Sequence, residues 1–223
     1  MSNAIFFLLP LALLSAGVTI AAHYLRPSRP WLIYLFKPLT TVLILVVALL
    51  PRTVFTETYT GAIALGLVFS LAGDIFLMLP GNYFLHGLVS FLMGHLCYGF
   101  AFFPLTLGAG ILWPLVPLVI FGGIILRILW PSLSKSLQIP VILYLIVIVG
   151  MATLAVNRSM SAPSNATLSA AIGALLFLTS DTLLALDRFR KPFPLARAAV
   201  LATYYAGQSL IAFSIPLMIP FIP

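Results

Sequence analysis

Apolar runs recur along this chain at nearly regular intervals, and each has about the 20 residues a helix needs to cross a bilayer core. They predict spans at 4–25, 31–50, 60–79, 84–103, 110–130, 137–156, 166–187 and 197–221. Helix breakers fill the gaps: Pro27 and Pro30, Pro51, Pro80-Gly81, Pro104, Pro131, Pro163, then Pro192 and Pro194. Pro38, Pro117, Pro140 and Pro216 lie inside runs and are expected to kink helices rather than end them. The first run is long for a signal peptide and has no basic residues ahead of it, so it reads as a retained span. The expected fold is an all-α polytopic transmembrane bundle of about eight helices, one domain over residues 1–223.

Composition adds the solvent. Hydrophobic residues make up 62% of the chain and charged residues only 7%, with mean hydropathy +1.20. A soluble domain is about one quarter charged, so this chain cannot cover its own surface in water, and lipid fits it instead. The net charge of +7 is therefore a topology signal and does not point to nucleic acid. Odd-numbered gaps and their flanks hold Arg26, Arg29, Arg127, Lys135, Arg188, Arg190, Lys191 and Arg197, whereas even ones hold Arg52 and Arg158. The positive-inside rule puts the odd gaps in the cytoplasm and both termini outside. The membrane would be the inner membrane of a bacterium or the endoplasmic reticulum of a eukaryote. Sequons at Asn157 and Asn165 fall in an outward gap, but matches this short also arise by chance. The single cysteine, Cys97, rules out an intramolecular disulfide and leaves the compartment open.

A faint internal repeat runs through the same layout. Leu25-Arg26-Pro27-Ser28 recurs as Leu129-Trp130-Pro131-Ser132, and Leu35-Phe36-Lys37-Pro38 recurs as Leu137-Gln138-Ile139-Pro140. The stretch 73–79, GDIFLML, recurs at 180–186 as SDTLLAL. Four spans separate the copies, so residues 1–104 and 105–223 would form parallel repeats about an axis normal to the membrane. Chance likeness between leucine-rich helices is the competing explanation.

Ionisable groups inside spans are costly and mark functional sites by default. Of the four acidic residues, Glu57 falls in an outward gap, and Asp187 ends the seventh span beside Arg188, where it reads as a solvated or paired terminus. Asp74 and Asp181 differ: each lies six or seven residues inside the cytoplasmic end of its helix, roughly 10 Å deep. Lys37, Ser90, His86, His95, Tyr204 and Gln208 fall at comparable depths, which predicts one polar layer in the inner half of the bilayer. The i, i+4 pairs His86/Ser90 and Tyr204/Gln208 each share a helix face, as do His95 and Tyr98. Blander roles stand beside these: Lys37 as a structural counter-ion, the histidines as packing residues, and Tyr98, Tyr204 and Tyr205 as packing or interface aromatics. For the two aspartates they fit worst, because one internal lysine leaves an excess negative charge that proton uptake or a bound cation would relieve.

At these residues the chain resembles the YhhN-like family of multi-span membrane proteins, whose characterised members are lysoplasmalogenases. The resemblance is carried by Phe36-Lys37-Pro38-Leu39-Thr40, Gly73-Asp74, Leu79-Pro80, Phe84 to Tyr98, Ser180-Asp181, and Thr203-Tyr204-Tyr205 with Gln208. Its polar positions match Lys37, Asp74, His95, Tyr98, Asp181, Tyr204, Tyr205 and Gln208. It implies a lysophospholipid substrate and hydrolysis of its vinyl-ether bond to a fatty aldehyde and a glycerophospho-base, with no cofactor or metal. Such chemistry requires protonation of the vinyl β-carbon and water capture of the resulting oxocarbenium ion. Paired carboxyls divide similar work in glycosidases, so Asp74 and Asp181 are expected as the catalytic pair. Lys37 and the basic seventh gap would attract the phosphate, and Tyr204, Gln208 and His95 would position water or substrate.

Two other classes remain open at this point. A proton- or cation-coupled transporter would also use kinked spans and buried carboxylates, but would carry polar residues on to the outer face, where these spans are nearly bare. A lipid-binding or scaffold protein would keep the aspartates for structure alone. A serine triad on Ser90 or Ser180 lacks a G-x-S-x-G elbow, and a vinyl ether offers serine no carbonyl to attack.

Overall fold

Runs of apolar residues long enough to satisfy every backbone group internally can only be helices in lipid, and the computed structural model is all helical among its described residues, 3–25, 30–50, 57–103 and 112–215. The helices are α1 (Asn3–Leu25), α2 (Pro30–Leu49), α3 (Glu57–Met78), α4 (Phe84–Phe102), α5 (Leu112–Leu129), α6 (Lys135–Ser161), α7 (Asn165–Phe189) and α8 (Ala196–Phe213). Seven of them are long and apolar enough to cross a membrane; α8, with Tyr204, Tyr205 and Gln208, is the polar exception. The chain is an integral, multi-pass membrane protein. Pro10, Pro38, Pro117 and Pro140 all sit within helices. Pro216, Arg26, Arg29 and Arg52 lie outside the described residues.

Most helix ends fall within a few residues of the apolar boundaries, with one instructive departure. Helix α6 runs on to Ser161 and carries Asn157 and Arg158, so these are not gap residues and Asn157 is buried. Arg158 is held there by Ala101 O at 3.4 Å and by the Tyr59 ring 5.2 Å away. Tyr59 and Ser214 hydroxyls meet at 2.6 Å. These bonds tie α3, α4, α6 and α8 together at the end of the bundle remote from Lys37 and Asp74, an end less bare than the sequence suggests. Asn165 opens α7 behind a capping box between Ser164 and Thr167, which satisfies otherwise orphaned amides. A left-handed Gly81 (φ 136°) turns the chain between α3 and α4, a conformation glycine adopts without steric cost.

The helices close a ring in the order α2, α3, α4, α6, α7, α8 and back to α2, with α1 packed on α2 and α8, and α5 on α6 and α7. Exchanging α1–α4 for α5–α8 maps most of these contacts onto one another: α1/α2 onto α5/α6, α2/α3 onto α6/α7, α3/α4 onto α7/α8, and α4/α6 onto α8/α2. Small residues permit the closest crossings. A Cβ on Gly173 would lie 2.8 Å from Gly207 O, and one on Gly207 would lie 2.9 Å from Gly173 O, so α7 and α8 meet backbone to backbone, as small-residue interfaces in lipid allow. Apolar side chains such as Leu13, Ile120, Ile139, Ile146 and Leu168 stand exposed on the outer surface, where acyl chains would cover them.

Candidate active site

Asp74 is buried in the ring and paired on both carboxylate oxygens. Helix α3 presents it on the buried face with Ile63, Leu67 and Ser70, and its side chain is 2% exposed. Three neighbours converge on it from two other helices. Lys37 Nζ lies 3.2 Å from Oδ1 and also donates to the Asp74 carbonyl at 3.3 Å. Thr41, one turn along α2, donates to Oδ2 at 2.7 Å, and Tyr204 of α8 donates to the same oxygen at 2.7 Å. An ammonium and two hydroxyls thus match a carboxylate's acceptor capacity, the arrangement a buried charge needs in order to persist.

Asp181 occupies the corresponding place on α7 with different company. Tyr144 of α6 donates a short hydrogen bond to Oδ2, and His95 Nε2 stands 3.7 Å from that oxygen, beyond hydrogen-bond reach. No lysine or arginine is in ion-pair contact with it among the described residues. Its side chain keeps 14% exposure. His95 is fully buried, wedged against Phe177 with ring centroids 4.5 Å apart and against Tyr144 at 5.3 Å, and both its ring nitrogens lack a hydrogen-bond partner among the described residues.

Both aspartates line one cavity of about 410 Å³, together with Lys37, Ser180 and Tyr204 at depth and Asp187, Arg188 and Arg197 nearer the surface. A second, narrower slot of about 70 Å³ adjoins it between α4, α5, α6 and α7, with an almost wholly apolar lining of residues such as Leu126, Val141, Ile148 and Leu178. Asp181, Leu77, Phe84, Phe91 and Leu184 line both spaces. Asp181 therefore stands where a polar chamber meets a greasy slot, an arrangement suited to a molecule with one polar and one apolar end.

The remaining expected residues sort into layers around this chamber. Tyr205 hydroxyl donates to Lys37 O at 3.4 Å, bracing α2 from behind. Tyr98 donates to Gln208 Oε1 at 2.7 Å; both are buried and neither lines the cavity. His86 and Ser90 do not join the layer. His86 packs on Phe76 and Tyr83, and Ser90 returns its hydroxyl to His86 O at 2.9 Å. Nine residues separate His86 from His95, half a turn out of phase on a helix, so only one of them can face inward. Ser180 donates to Val200 O at 2.9 Å; neither it nor Ser90 is bonded to a histidine ring, and the serine-triad arrangement is absent among the described residues. Asp187, expected as a solvated or paired terminus, accepts Phe193 N–H at 3.3 Å in the last turn of α7 and also lines the cavity.

Sequence reasoning did not single out Tyr144, Thr41 or the cavity roles of Arg197 and His23. Tyr144 had a signal: it precedes Asp181 by the same 37 residues that separate Lys37 from Asp74.

Comparison with known proteins agrees in extent with this layout. The model of the YhhN family matches residues 32–215, which takes in every residue named at the cavity except His23. Lysoplasmalogenase TMEM86A of Bos taurus is 37% identical over 200 residues, covering 86% of this chain and 81% of that protein. Lysoplasmalogenase TMEM86B of Homo sapiens is 34% identical over 166 residues, covering 74% and 66%. The uncharacterized membrane protein YhhN of Escherichia coli O157:H7 is 29% identical over 203 residues, covering 91% and 95%. No solved structure matches.

Proposed function

This chain belongs to the YhhN family, and from that premise we propose that it hydrolyses the vinyl-ether bond of lysoplasmalogens, with Asp181 and Asp74 as the reacting pair. The observation that carries the reading is the position of Asp181, shared by the polar cavity and the apolar slot. A lysoplasmalogen has its vinyl ether at the junction of its polar and apolar parts. With the first few carbons of the alkenyl chain in the slot and the glycerophospho-base in the cavity, that bond lies beside Asp181.

The division of labour follows from the partners. Asp181 faces Tyr144 and no ammonium, so it is the carboxyl that delivers a proton to the vinyl β-carbon, while the Tyr144 hydrogen bond fixes its orientation and the His95 ring packs against Tyr144. The cation that forms is shared between the α-carbon and the ether oxygen. Asp74, held by Lys37, Thr41 and Tyr204, is the carboxylate that faces this cation and takes a proton from the attacking water. Water adds to the α-carbon to give a hemiacetal, whose collapse breaks the bond to the glycerol oxygen. Asp74 returns its proton to that oxygen as it leaves, Asp181 takes up the hemiacetal's hydroxyl proton, and one water has been added across the two products. The rim holding Arg188 and Arg197 lies on the side the basic gaps assign to the cytoplasm, and substrate would enter there.

The test uses purified protein with a lysoplasmalogen and with its saturated alkyl-ether analogue. Aldehyde is expected from the first only. In heavy water the aldehyde gains one deuterium at its α-carbon, and in ¹⁸O-water the glycerol product stays unlabelled, because the bond broken is on the vinyl side. Label in the glycerol hydroxyl would refute the mechanism, and aldehyde from neither lipid would reject the activity. Asp181→Asn is expected to lower kcat by about 10²–10⁴-fold, the usual contribution of a positioned acid; full turnover in that variant would remove its assigned role.

A further inference from the structure

The outer part of the cavity carries charges that bond cleavage does not use. Arg188, near the end of α7, and Arg197, in the first turn of α8, both line it. Both side chains are exposed, and neither guanidinium forms a salt bridge among the described residues. Arg188 lies over the Phe84 ring at 5.0 Å, and Arg197 Nη1 is 3.1 Å from His23 Nδ1. These two contacts hold the groups at the rim and leave guanidinium donors without protein partners among the described residues.

Their register is informative. Arg188 follows Asp181 by seven residues, and Arg197 precedes Tyr204, the partner of Asp74, by seven. Seven residues are nearly two whole turns, so each arginine shares a helix face with its deep counterpart, about 10 Å away along the axis. Because α7 and α8 pack against each other and successive spans run in opposite directions, both arginines reach the same level above the carboxylate layer. Arg190 and Lys191 are adjacent in sequence but do not line the cavity. Asp187 does; its Oδ1 accepts from Phe193 N–H, and its Oδ2 has no hydrogen-bond partner among the described residues.

We propose that Arg188 and Arg197 form an anion subsite for the phosphodiester of the incoming lysophospholipid, and that Asp187 takes the ammonium of a zwitterionic headgroup. The proposal rests on the hydrolase reading and deepens it. A guanidinium fork matches two phosphate oxygens at once, and the glycerol backbone keeps phosphorus at a fixed short reach from the ether oxygen. Holding phosphate at the rim thus sets the depth at which the vinyl ether meets Asp181, so the two helices act as a ruler for the substrate.

Binding can be read without turnover. The probe is radiolabelled 1-O-alkyl-2-lyso-glycerophosphocholine, which has no vinyl bond, added to the purified full-length protein in neutral detergent. Roughly a tenfold loss of affinity per arginine is expected, the scale of one charged hydrogen bond. The R188Q/R197Q variant should therefore bind about a hundredfold more weakly, and R190Q/K191Q like the wild type. Equal loss in the two pairs, or loss in neither, overturns the subsite. Glycerophosphocholine should displace the probe better than inorganic phosphate does; the reverse order would identify a free-phosphate site and overturn the headgroup assignment.

Turnover then supplies a second readout. R188Q/R197Q should lower the ratio of kcat/KM for alkenyl-glycerophosphocholine over phosphate-free alkenylglycerol, where a merely structural effect would lower both alike. Asp187→Asn should reduce the preference for the choline lipid over its amine-free phosphomonoester by roughly tenfold, and an unchanged preference removes the ammonium assignment. Arginine-dependent binding with no aldehyde would keep the subsite and reject the hydrolase reading. Aldehyde release with arginine-independent binding would do the opposite.

Discussion

Replacing Lys37 by Met separates the structural from the chemical role of the Lys37–Asp74 pair. The ammonium is 3.2 Å from Asp74 Oδ1 and both side chains are nearly buried, so its removal leaves a carboxylate with only the Thr41 and Tyr204 hydroxyls to compensate it. Breaking a buried pair from one side costs about 3–5 kcal/mol, which for a chain of this size is a fall in Tm on the order of 10 °C. Asp74→Asn strands the ammonium instead and should cost a similar amount. The double variant K37M/D74N removes both charges, and most of the loss should return, because an apolar–amide pair of similar volume carries no uncompensated charge. Thermal unfolding in detergent gives the four corners of this cycle, and aldehyde release gives activity at each. A double variant that recovers its Tm while activity stays at least a hundredfold down is expected. Recovery of both together would show that Asp74 serves the fold alone, and the assignment of its chemistry would fail.

Further outcomes follow from particular contacts. Tyr144→Phe removes the hydroxyl bonded to Asp181 and should cut kcat about fivefold with little change in KM, measured by steady-state aldehyde release, since one neutral hydrogen bond is worth about 1 kcal/mol. Gly173→Val places carbon within 2.8 Å of Gly207 O, forces α7 from α8 and should lower stability by about 2–3 kcal/mol in a detergent unfolding series. Leu195, at φ 61° before α8, should tolerate Gly with a gain of about 1 kcal/mol in the same series, because a left-handed backbone strains any residue with a Cβ.

The spans were legible because lipid allows so few alternatives: an apolar run of helix length has nowhere else to go. The two aspartates were legible for the same reason, as charges in runs that otherwise exclude them. What sequence could not supply was the rotation of one helix against the next. His86 and His95 are equally polar in the sequence, and only packing decides that His95 turns toward Phe177 while His86 turns out to Tyr83. Arg158 shows the converse failure. Its charge marked a helix end, yet a carbonyl and an aromatic ring from neighbouring helices let α6 continue past it. Tyr144 carried no charge, and only its 37-residue spacing to Asp181, the same as that from Lys37 to Asp74, set it apart from other tyrosines of membrane helices.

The arrangement of contacts and the spacing of residues favour reading the two halves as repeats, and that reading explains why two similar carboxyls could do different work. A shift of 107 residues carries Asp74 onto Asp181, Tyr98 onto Tyr205 and Gly66 onto Gly173, so the backbone and much of the packing would be common to both halves. The same shift, which departs from the pairing of 35–38 with 137–140, carries Lys37 onto Tyr144 and Thr41 onto Ile148. On one side, then, an ammonium and a hydroxyl pin a carboxylate; on the other, a phenol and a methyl-rich side chain leave the carboxyl without a counter-ion and open an apolar slot beside it. Two carboxyls in matched surroundings could share one proton, but either of them could carry it. Exchanging a lysine for a tyrosine at one repeat position is enough to break that equivalence, and it does so at the helix pair that borders the slot.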